Sequence, residues 1–236
     1  MKQYSNFPRH VAIIMDGNRR WARQHKLSAV SGHDYVVERV LEPLVDRAIA
    51  LGIPFLTFWA FSSENWGRNR REVQGILNIF RKGLQRSAKR LFEKGVRLRI
   101  LGEIDKFPSD ISVAAKGWVE KSKSNRRITV SFALNYGGRD ELLRAINKLL
   151  QQVQSSKFKV QSLDEERFSS FLDTAGMPDP DLIIRTGGEQ RLSGFMPWQS
   201  IYSELYFPET LMPDFTPENF DKALVEYQRR QRRFGR

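Results

Sequence analysis

Four short apolar runs in this chain each end in turn-forming or polar residues joined to arginine. Val11 to Met15 is followed by Asp16-Gly17-Asn18-Arg19-Arg20-Trp21, and Phe55 to Phe61 by Ser62-Ser63-Glu64-Asn65-Trp66-Gly67-Arg68. Ile128 to Leu134 is followed by Asn135-Tyr136-Gly137-Gly138-Arg139, and Leu182 to Arg185 by Thr186-Gly187-Gly188-Glu189-Gln190-Arg191-Leu192-Ser193. A lone carboxylate beside glycine, such as Asp16, suits magnesium, which takes one or two carboxylates and completes its shell with substrate phosphate oxygens. The local alternative is an Asp that caps a following helix. Arg185, Arg191 and Ser193 around Gly187-Gly188 supply guanidinium forks and a hydroxyl for a phosphate cradle. This is not a Walker A loop, since no Gly-Lys-Ser/Thr follows. Arg20, Arg68 and His33 could serve a second phosphate group; taken singly, each reads first as an ordinary surface ion pair. Glu204, between aromatic residues at a strand start, needs a partner. It is either a salt-bridged edge carboxylate or a second ligand to a metal at Asp16. The three histidines, His10, His25 and His33, lack metal-binding spacing, which argues against a zinc hydrolase.

These residues need a scaffold that gathers strand ends. Apolar runs alternate with segments of helical period, the mark of βαβ units and a parallel sheet. Strands are expected at Val11 to Met15, Phe55 to Phe61, Val96 to Leu101, Ile128 to Leu134, Leu182 to Arg185 and Leu205 to Phe207. Helices are expected at Tyr35 to Leu51, Glu72 to Lys94, Ser109 to Lys121, Arg139 to Gln151, Asp164 to Thr174 and Pro217 to Arg232. In an open parallel sheet ligands bind beyond the carboxyl ends of the strands, where the four polar segments fall. The Glu72 to Lys94 helix carries Val73, Ile76, Leu77, Phe80, Leu84, Ala88 and Leu91 on one face, either as a core stripe or as the wall of an elongated apolar cavity. Arg81 and Lys82 interrupt it if they face inward.

Composition narrows the chemistry. The 236 residues contain 39 Lys+Arg, 27 Asp+Glu and no cysteine, for a net charge of +12. Disulfide scaffolds, cysteine zinc sites, thiol nucleophiles and iron–sulfur clusters are thereby excluded. A hydrophobic fraction of 40% supports a core. No apolar run reaches the roughly 20 residues of a membrane span, and the N-terminus lacks a signal-peptide core, so a soluble cytoplasmic α/β protein of one domain, residues 1–236, is expected. The basic excess attracts polyanions. Five arginines between Arg229 and Arg236 supply much of it. They read as a solvated tail, an RNA-contacting arm, or a tail anchored by the preceding amphipathic helix that reaches a phosphate site in its own subunit or a partner's.

His10-Val-Ala-Ile-Ile-Met-Asp-Gly-Asn-Arg-Arg-Trp-Ala22, Phe61-Ser-Ser-Glu-Asn-Trp66, Asn135-Tyr-Gly-Gly-Arg139, Asp181-Leu-Ile-Ile-Arg-Thr-Gly-Gly-Glu189 and the terminal Arg-Arg-Phe-Gly together resemble the cis-prenyltransferases. The resemblance implies a six-stranded, mostly parallel sheet flanked by helices, a homodimer, and magnesium-dependent condensation of isopentenyl diphosphate with an allylic diphosphate. It places Asp16 at the magnesium and the diphosphate, with Gly17, Asn18, Arg19, Arg20, His33 and Arg68 around the allylic diphosphate. Arg185, Arg191 and Ser193 would hold isopentenyl diphosphate, with Glu204 assisting the metal. Asn65, near Ser62, would serve proton abstraction, while Trp21, Ala60, Phe61 and Trp66 would line or orient the prenyl chain. Arg233 and Gly235, near the end of a tail at about 229–236, would reach the active site across the dimer. The implied product is a lipid carrier precursor for cell-wall glycan, with peripheral contact at the inner face of the plasma membrane and no nucleic-acid partner. Two alternatives stand beside it: a weakly active subunit supporting a catalytic partner, and a basic nucleic-acid-binding protein.

Two positions depart from the family pattern. Ala29 stands where the family usually has an arginine that contributes to the allylic diphosphate site, and Val36 where it usually has glycine. Arg19, where many bacterial members have glycine, is a family variant. One charged hydrogen bond contributes about 1.5–3 kcal/mol. Ala29→Arg should therefore lower the KM for allylic diphosphates in steady-state assays, and unchanged KM values for every primer would refute this.

Overall fold

Val11, Ala12 and Ile13 are wholly buried and Ile14 nearly so, as expected of a parallel strand covered on both faces. The computed structural model describes residues 7–154 and 162–230. Its strands are β1 (His10–Ile14), β2 (Phe55–Ser62), β3 (Val96–Leu101), β4 (Ile128–Tyr136), β5 (Leu182–Arg185) and β6 (Glu204–Tyr206). They form one sheet in the order β3-β4-β2-β1-β5-β6, with every neighbouring pair parallel. β1 lies between β2 and β5, so the chain winds outward from it in both directions. The carboxyl ends around β1 therefore bound the crevice where doubly wound sheets bind ligands.

The helices are α1 (Asn18–Gln24), α2 (Ala29–Tyr35), α3 (Leu41–Ala50), α4 (Arg70–Gln85), α5 (Ser87–Glu93), α6 (Ser109–Lys121), α7 (Gly138–Gln154), α8 (Glu165–Ser169) and α9 (Pro217–Arg229). Alternation along the strands divides the core. Val11, Ile13, Leu56, Phe58, Val130 and Ile184 pack on Leu44 and Val45 of α3, Leu91 of α5, and Phe220 and Leu224 of α9. Ala12, Ile14, Ala133 and Ile183 face the other way, onto Phe195 and Met196. A third cluster joins Phe61 and Leu134 to Ile76 and Leu77 of α4 and Ile111 and Ala115 of α6. No helix among the described residues is long and apolar enough to cross a membrane.

The six expected strands are present, β6 starting one residue early at Glu204. The helices differ in three places. α1 and α2 occupy a stretch to which no element was assigned, and a π turn (Val36–Val40) joins α2 to α3. α2 contains Gly32, where a Cβ would lie 2.1 Å from the Asn18 carbonyl oxygen. The glycine is what lets α1 and α2 cross at contact distance. The expected 23-residue helix, Glu72 to Lys94, breaks at Arg86 into α4 and α5. The Trp118 indole N–H of α6 donates to the Leu84 carbonyl at 2.8 Å, satisfying an acceptor at the end of α4. α8 spans only Glu165–Ser169, with turns from there to Thr174. Arg81 does not intrude on the core: it pairs with Asp110 of α6 at 2.6 Å, while Lys82 lies 3.6 Å from Asp34.

His10 ties the sheet's amino-terminal edge together. Its Nδ1–H donates to the Pro178 carbonyl at 2.8 Å, and Nε2 accepts from the Thr57 hydroxyl at 2.8 Å. Burial lowers its pKa to about 4, despite the opposing hydrogen bond to Pro178 and the nearby Asp181 charge. Between that value and the ordinary 6.5 the unfolded chain binds more protons than the folded one, so stability falls as pH drops through this window. The loss from this ring should reach roughly 3 kcal/mol at its limit. Urea unfolding at pH 7 and pH 4.5 should show this loss in the wild type and a smaller one in His10→Asn.

Candidate active site

Parallel pairing sets Ile14 beside Arg185, and the chain turns just beyond each. Asp16 and Arg185 thus meet at neighbouring strand ends, Arg185 Nη2 donating to Asp16 Oδ2 at 2.9 Å. Thr186 fixes the Asp16 backbone: its Oγ1 accepts from the Asp16 N–H at 2.9 Å and its hydroxyl donates to the Asp16 carbonyl at 2.7 Å. Arg185 is buried at 5% exposure, whereas the Asp16 side chain is one-third exposed. The other Arg185 amino group, Nη1, donates to the Arg191 carbonyl at 2.6 Å and to Ser193 Oγ at 2.8 Å. Ser193 has a positive φ of 51°, a conformation this contact helps to hold.

Gly187 completes this corner. Its carbonyl accepts from Arg20 Nη2 at 2.8 Å, and a Cβ there would lie 2.3 Å from the same nitrogen at a φ of 88°. Arg20 also lies 3.8 Å from Asp16 Oδ1. Across the crevice, Glu72 of α4 gathers a second group, 3.1 Å from Arg68 and 3.6 Å from Arg19. His33 stands beside both arginines. Burial first, then the Arg68 and Arg19 charges, lower its pKa to about 4, so its imidazole is neutral at pH 7.

Three enclosed polar atoms here lack partners: Asn18 Oδ1, His33 Nε2 and Arg185 Nε. Buried polar groups are nearly always paired, so three such atoms at one mouth are suited to a polar ligand. The mouth opens into a cavity of about 340 Å³. Asp16, Asn18, His33, Ser62, Asn65, Arg68 and Arg185 line its polar end. Apolar side chains of the π turn, α4, α5, α6 and β2 to β4 line the rest, among them Val36, Ile76, Phe80, Leu91, Leu98, Trp118 and Phe132. A charged head and a long hydrocarbon tail would fit these two environments.

The site residues read from the sequence are largely brought together. Asn65 lies in the turn after β2, its Oδ1 accepting from the Ser62 N–H at 3.1 Å, and Ala60, Phe61 and Ser62 line the cavity. Trp66 stands behind this wall, edge-on to Phe61 and hydrogen-bonded to Asn135 Oδ1 at 2.8 Å. Trp21 instead stacks on His25, donates to Asp214 at 2.8 Å and lines a separate outer cleft. Gly17 supplies its N–H to Asp16 Oδ1 at 2.6 Å, and Arg191 pairs with Glu189. Glu204 does not join Asp16 within the chain. Register aligns it with Leu182 and Val11, five residues below Asp16, or about 16 Å along the strands at ~3.3 Å per residue. There it takes the edge-carboxylate alternative, pairing with Arg230 at 3.0 Å. Arg233 and Gly235 lie outside the described residues.

Two supporting residues escaped sequence reasoning. Thr186 directly follows Arg185, and Glu72 lies four residues after Arg68 at a helix start, a spacing that favours an ion pair. Ala29 opens α2 half-buried, and Val36, buried, opens the π turn.

The donor chemistry fits a hard divalent cation shared with substrate. Asp16 and the unpartnered Asn18 Oδ1 offer oxygens, and no group of three or more acidic or histidine side chains among the described residues could hold an ion alone.

Comparison with known proteins agrees with this geometry. A family described as "Putative undecaprenyl diphosphate synthase" matches residues 14–235. An isoprenyl transferase of Aquifex aeolicus (strain VF5) is 46% identical over 97% of this chain and 96% of its own. One from Rhizobium meliloti (strain 1021) is 46% identical over 98% and 93%. Among solved structures, lavandulyl diphosphate synthase from Lavandula x intermedia, in complex with dimethylallyl diphosphate, superposes with a TM-score of 0.93 at 34% identity, over 98% of this chain and 99% of that one. "A probable undecaprenyl diphosphate synthase" from Campylobacter jejuni gives 0.79 at 30% identity, over 98% and 100%. With the strand-end motifs, the two-part cavity and full-length similarity in agreement, this chain belongs to the undecaprenyl diphosphate synthase family of prenyltransferases.

Proposed function

We propose that this chain condenses isopentenyl diphosphate with an allylic diphosphate, such as farnesyl diphosphate, to give a cis-polyprenyl diphosphate that serves as a lipid carrier precursor for cell-wall glycan. The observation that carries this reading is the junction of a basic, partly unsatisfied mouth with an apolar cavity. In the reaction the allylic C–O bond breaks and diphosphate leaves, carbon bonds to carbon, and a proton departs from isopentenyl diphosphate. Arg20, Arg68 and His33, with the Gly17 and Asn18 backbone, bind the allylic diphosphate; its leaving charge is met by donors already in place. Arg185, Arg191 and Ser193 hold isopentenyl diphosphate, and Asn65 at the cavity mouth assists the departing proton. Phe61 and the neighbouring apolar wall exclude water from the cationic carbon. Asp16 would hold magnesium, which when bound neutralises charge on the diphosphates.

The remaining expectations belong to the same reading. The chain forms a homodimer through α7, whose Leu143, Ile146, Leu150 and Val153 are exposed at spacings that share one face. The Arg233 and Gly235 tail reaches the partner's active site. The protein works in the cytoplasm and touches the membrane only to deliver its product. Full-length similarity to prenyltransferases gives the nucleic-acid and supporting-subunit readings no favour.

Incubation with magnesium, radiolabelled isopentenyl diphosphate and farnesyl diphosphate should yield label extractable into organic solvent. Chelation by EDTA should abolish it, and so should Asp16→Ala with an unchanged circular dichroism spectrum. Absence of magnesium-dependent lipid with any allylic primer would refute the reading. Gly187→Ala should displace the Arg20 guanidinium and raise the KM for allylic diphosphate at least tenfold, the scale of one charged hydrogen bond. A normal KM would show that Arg20 does not bind substrate.

A further inference from the structure

Below its mouth the cavity is not lined by hydrocarbon alone. Glu42, at the start of α3, borders it. From the outside the same Glu42 borders the cleft lined by Trp21, Leu27, Tyr35, Arg39 and Arg90, so it belongs to the partition between the two. Nine residues of helical chain separate it from His33, about 13 Å at 1.5 Å per residue. Arg90 Nε of α5 donates to Glu42 Oε2 at 2.6 Å, and Lys94 Nζ lies 2.7 Å from Oε1. Ser87, which also lines the cavity, accepts from Arg90 Nη2 at 3.2 Å. Burial pushes the Glu42 carboxyl up, but hydrogen bonds from Lys94 and Arg90 outweigh it and hold the group below its ordinary value. It is charged at neutral pH.

Apolar side chains, among them Leu91, Leu98, Trp118 and Val119, make up most of the remaining lining contributed by α5, β3 and α6. Arg99 also borders the cavity, but its guanidinium goes to the Asp173 and Ala175 carbonyls. A hydrocarbon tip advancing from the mouth along α3 comes against the Glu42–Arg90 ion pair where Glu42 borders the cavity. A methyl group cannot replace the hydrogen bonds of Glu42, and forcing the pair apart leaves charge unpaired against lipid.

We propose that the Glu42–Arg90 pair is the stop that limits product length, chain growth ending where the prenyl tip meets it. The proposal rests on the prenyltransferase reading and deepens it. Further elongation requires α3 and α5 to part at this point, and the tip then emerges beside the exposed Leu27 and Tyr35. The break at Arg86 and the absence of a side-chain cap on α5 place the α5 side of the stop on a short helix separate from α4.

The test measures the distribution of product lengths by reverse-phase chromatography after dephosphorylation, with radiolabelled isopentenyl diphosphate and farnesyl diphosphate. Glu42→Ala and Arg90→Ala should move the main product to longer chains, with the rate of the first condensation unchanged. Ser87→Leu, which fills the cavity beside the pair, should shorten it. Lys94→Ala loosens the same two helices without bordering the cavity and should leave length unchanged. Folded Glu42→Ala protein making products of wild-type length overturns the proposal, as does equal lengthening by Lys94→Ala. If Glu42→Ala does not fold, Ser87→Leu decides, and wild-type length in that variant overturns it. Absence of any lipid product from the wild type instead overturns the underlying activity.

Discussion

The 2.9 Å pair between Asp16 and Arg185 is possible because β1 and β5 are parallel neighbours in register. Antiparallel pairing would send the two strand ends to opposite edges of the sheet. The pair leaves Asp16 partly open to solvent while burying Arg185, and a buried guanidinium is costly unless every donor is used. Nη1 and Nη2 are used, by Ser193, the Arg191 carbonyl and Asp16. Nε is not. The site is held in place by these contacts and still has an unmet donor for a substrate oxygen.

Around that pair the structure separates two environments. Loops after β1, β2 and β5 carry the charge, and the helices below them carry the hydrocarbon. Phe61, Phe80, Trp66 and Phe107 pack against one another with ring centroids 4.9–6.0 Å apart, so the wall nearest the reacting end is aromatic and stiff. His33 stays neutral because burial and two guanidinium groups disfavour its proton. It can therefore accept or donate a hydrogen bond without adding charge. Much of the +12 net charge is spread outside this mouth, where it favours encounter with anionic substrates and surfaces.

The strands and the strand-end polar segments were legible because two-sided burial leaves continuous apolar runs and because glycine and arginine follow them directly. Asp16, Arg185 and Ser193 were assigned to ligand-binding roles on that basis, and they meet. The helix break at Arg86 was not legible, since α4 and α5 share one apolar stripe and the partner of the Leu84 carbonyl is Trp118, 34 residues away. α1 and α2 were missed because they are short and depend on a contact between Gly32 and Asn18 rather than on periodicity. Glu204 is kept from Asp16 of the same chain for a topological reason: a residue at the start of a strand lies at the opposite edge from residues at the ends of its parallel neighbours. The family resemblance set Trp21 along the prenyl chain, whereas the turn into α1 aims its indole at Asp214.

The central claim is that one mouth binds diphosphate while the cavity behind it takes the hydrocarbon. A crystal structure with magnesium and a non-hydrolysable farnesyl thiodiphosphate tests it most directly. The account predicts the diphosphate among Asp16, Arg20, His33 and Arg68, with the prenyl tail running between α3, α4 and β2 toward Glu42. A tail lying in the outer cleft beside Trp21 and Tyr35, or a diphosphate bound away from Asp16, would contradict it.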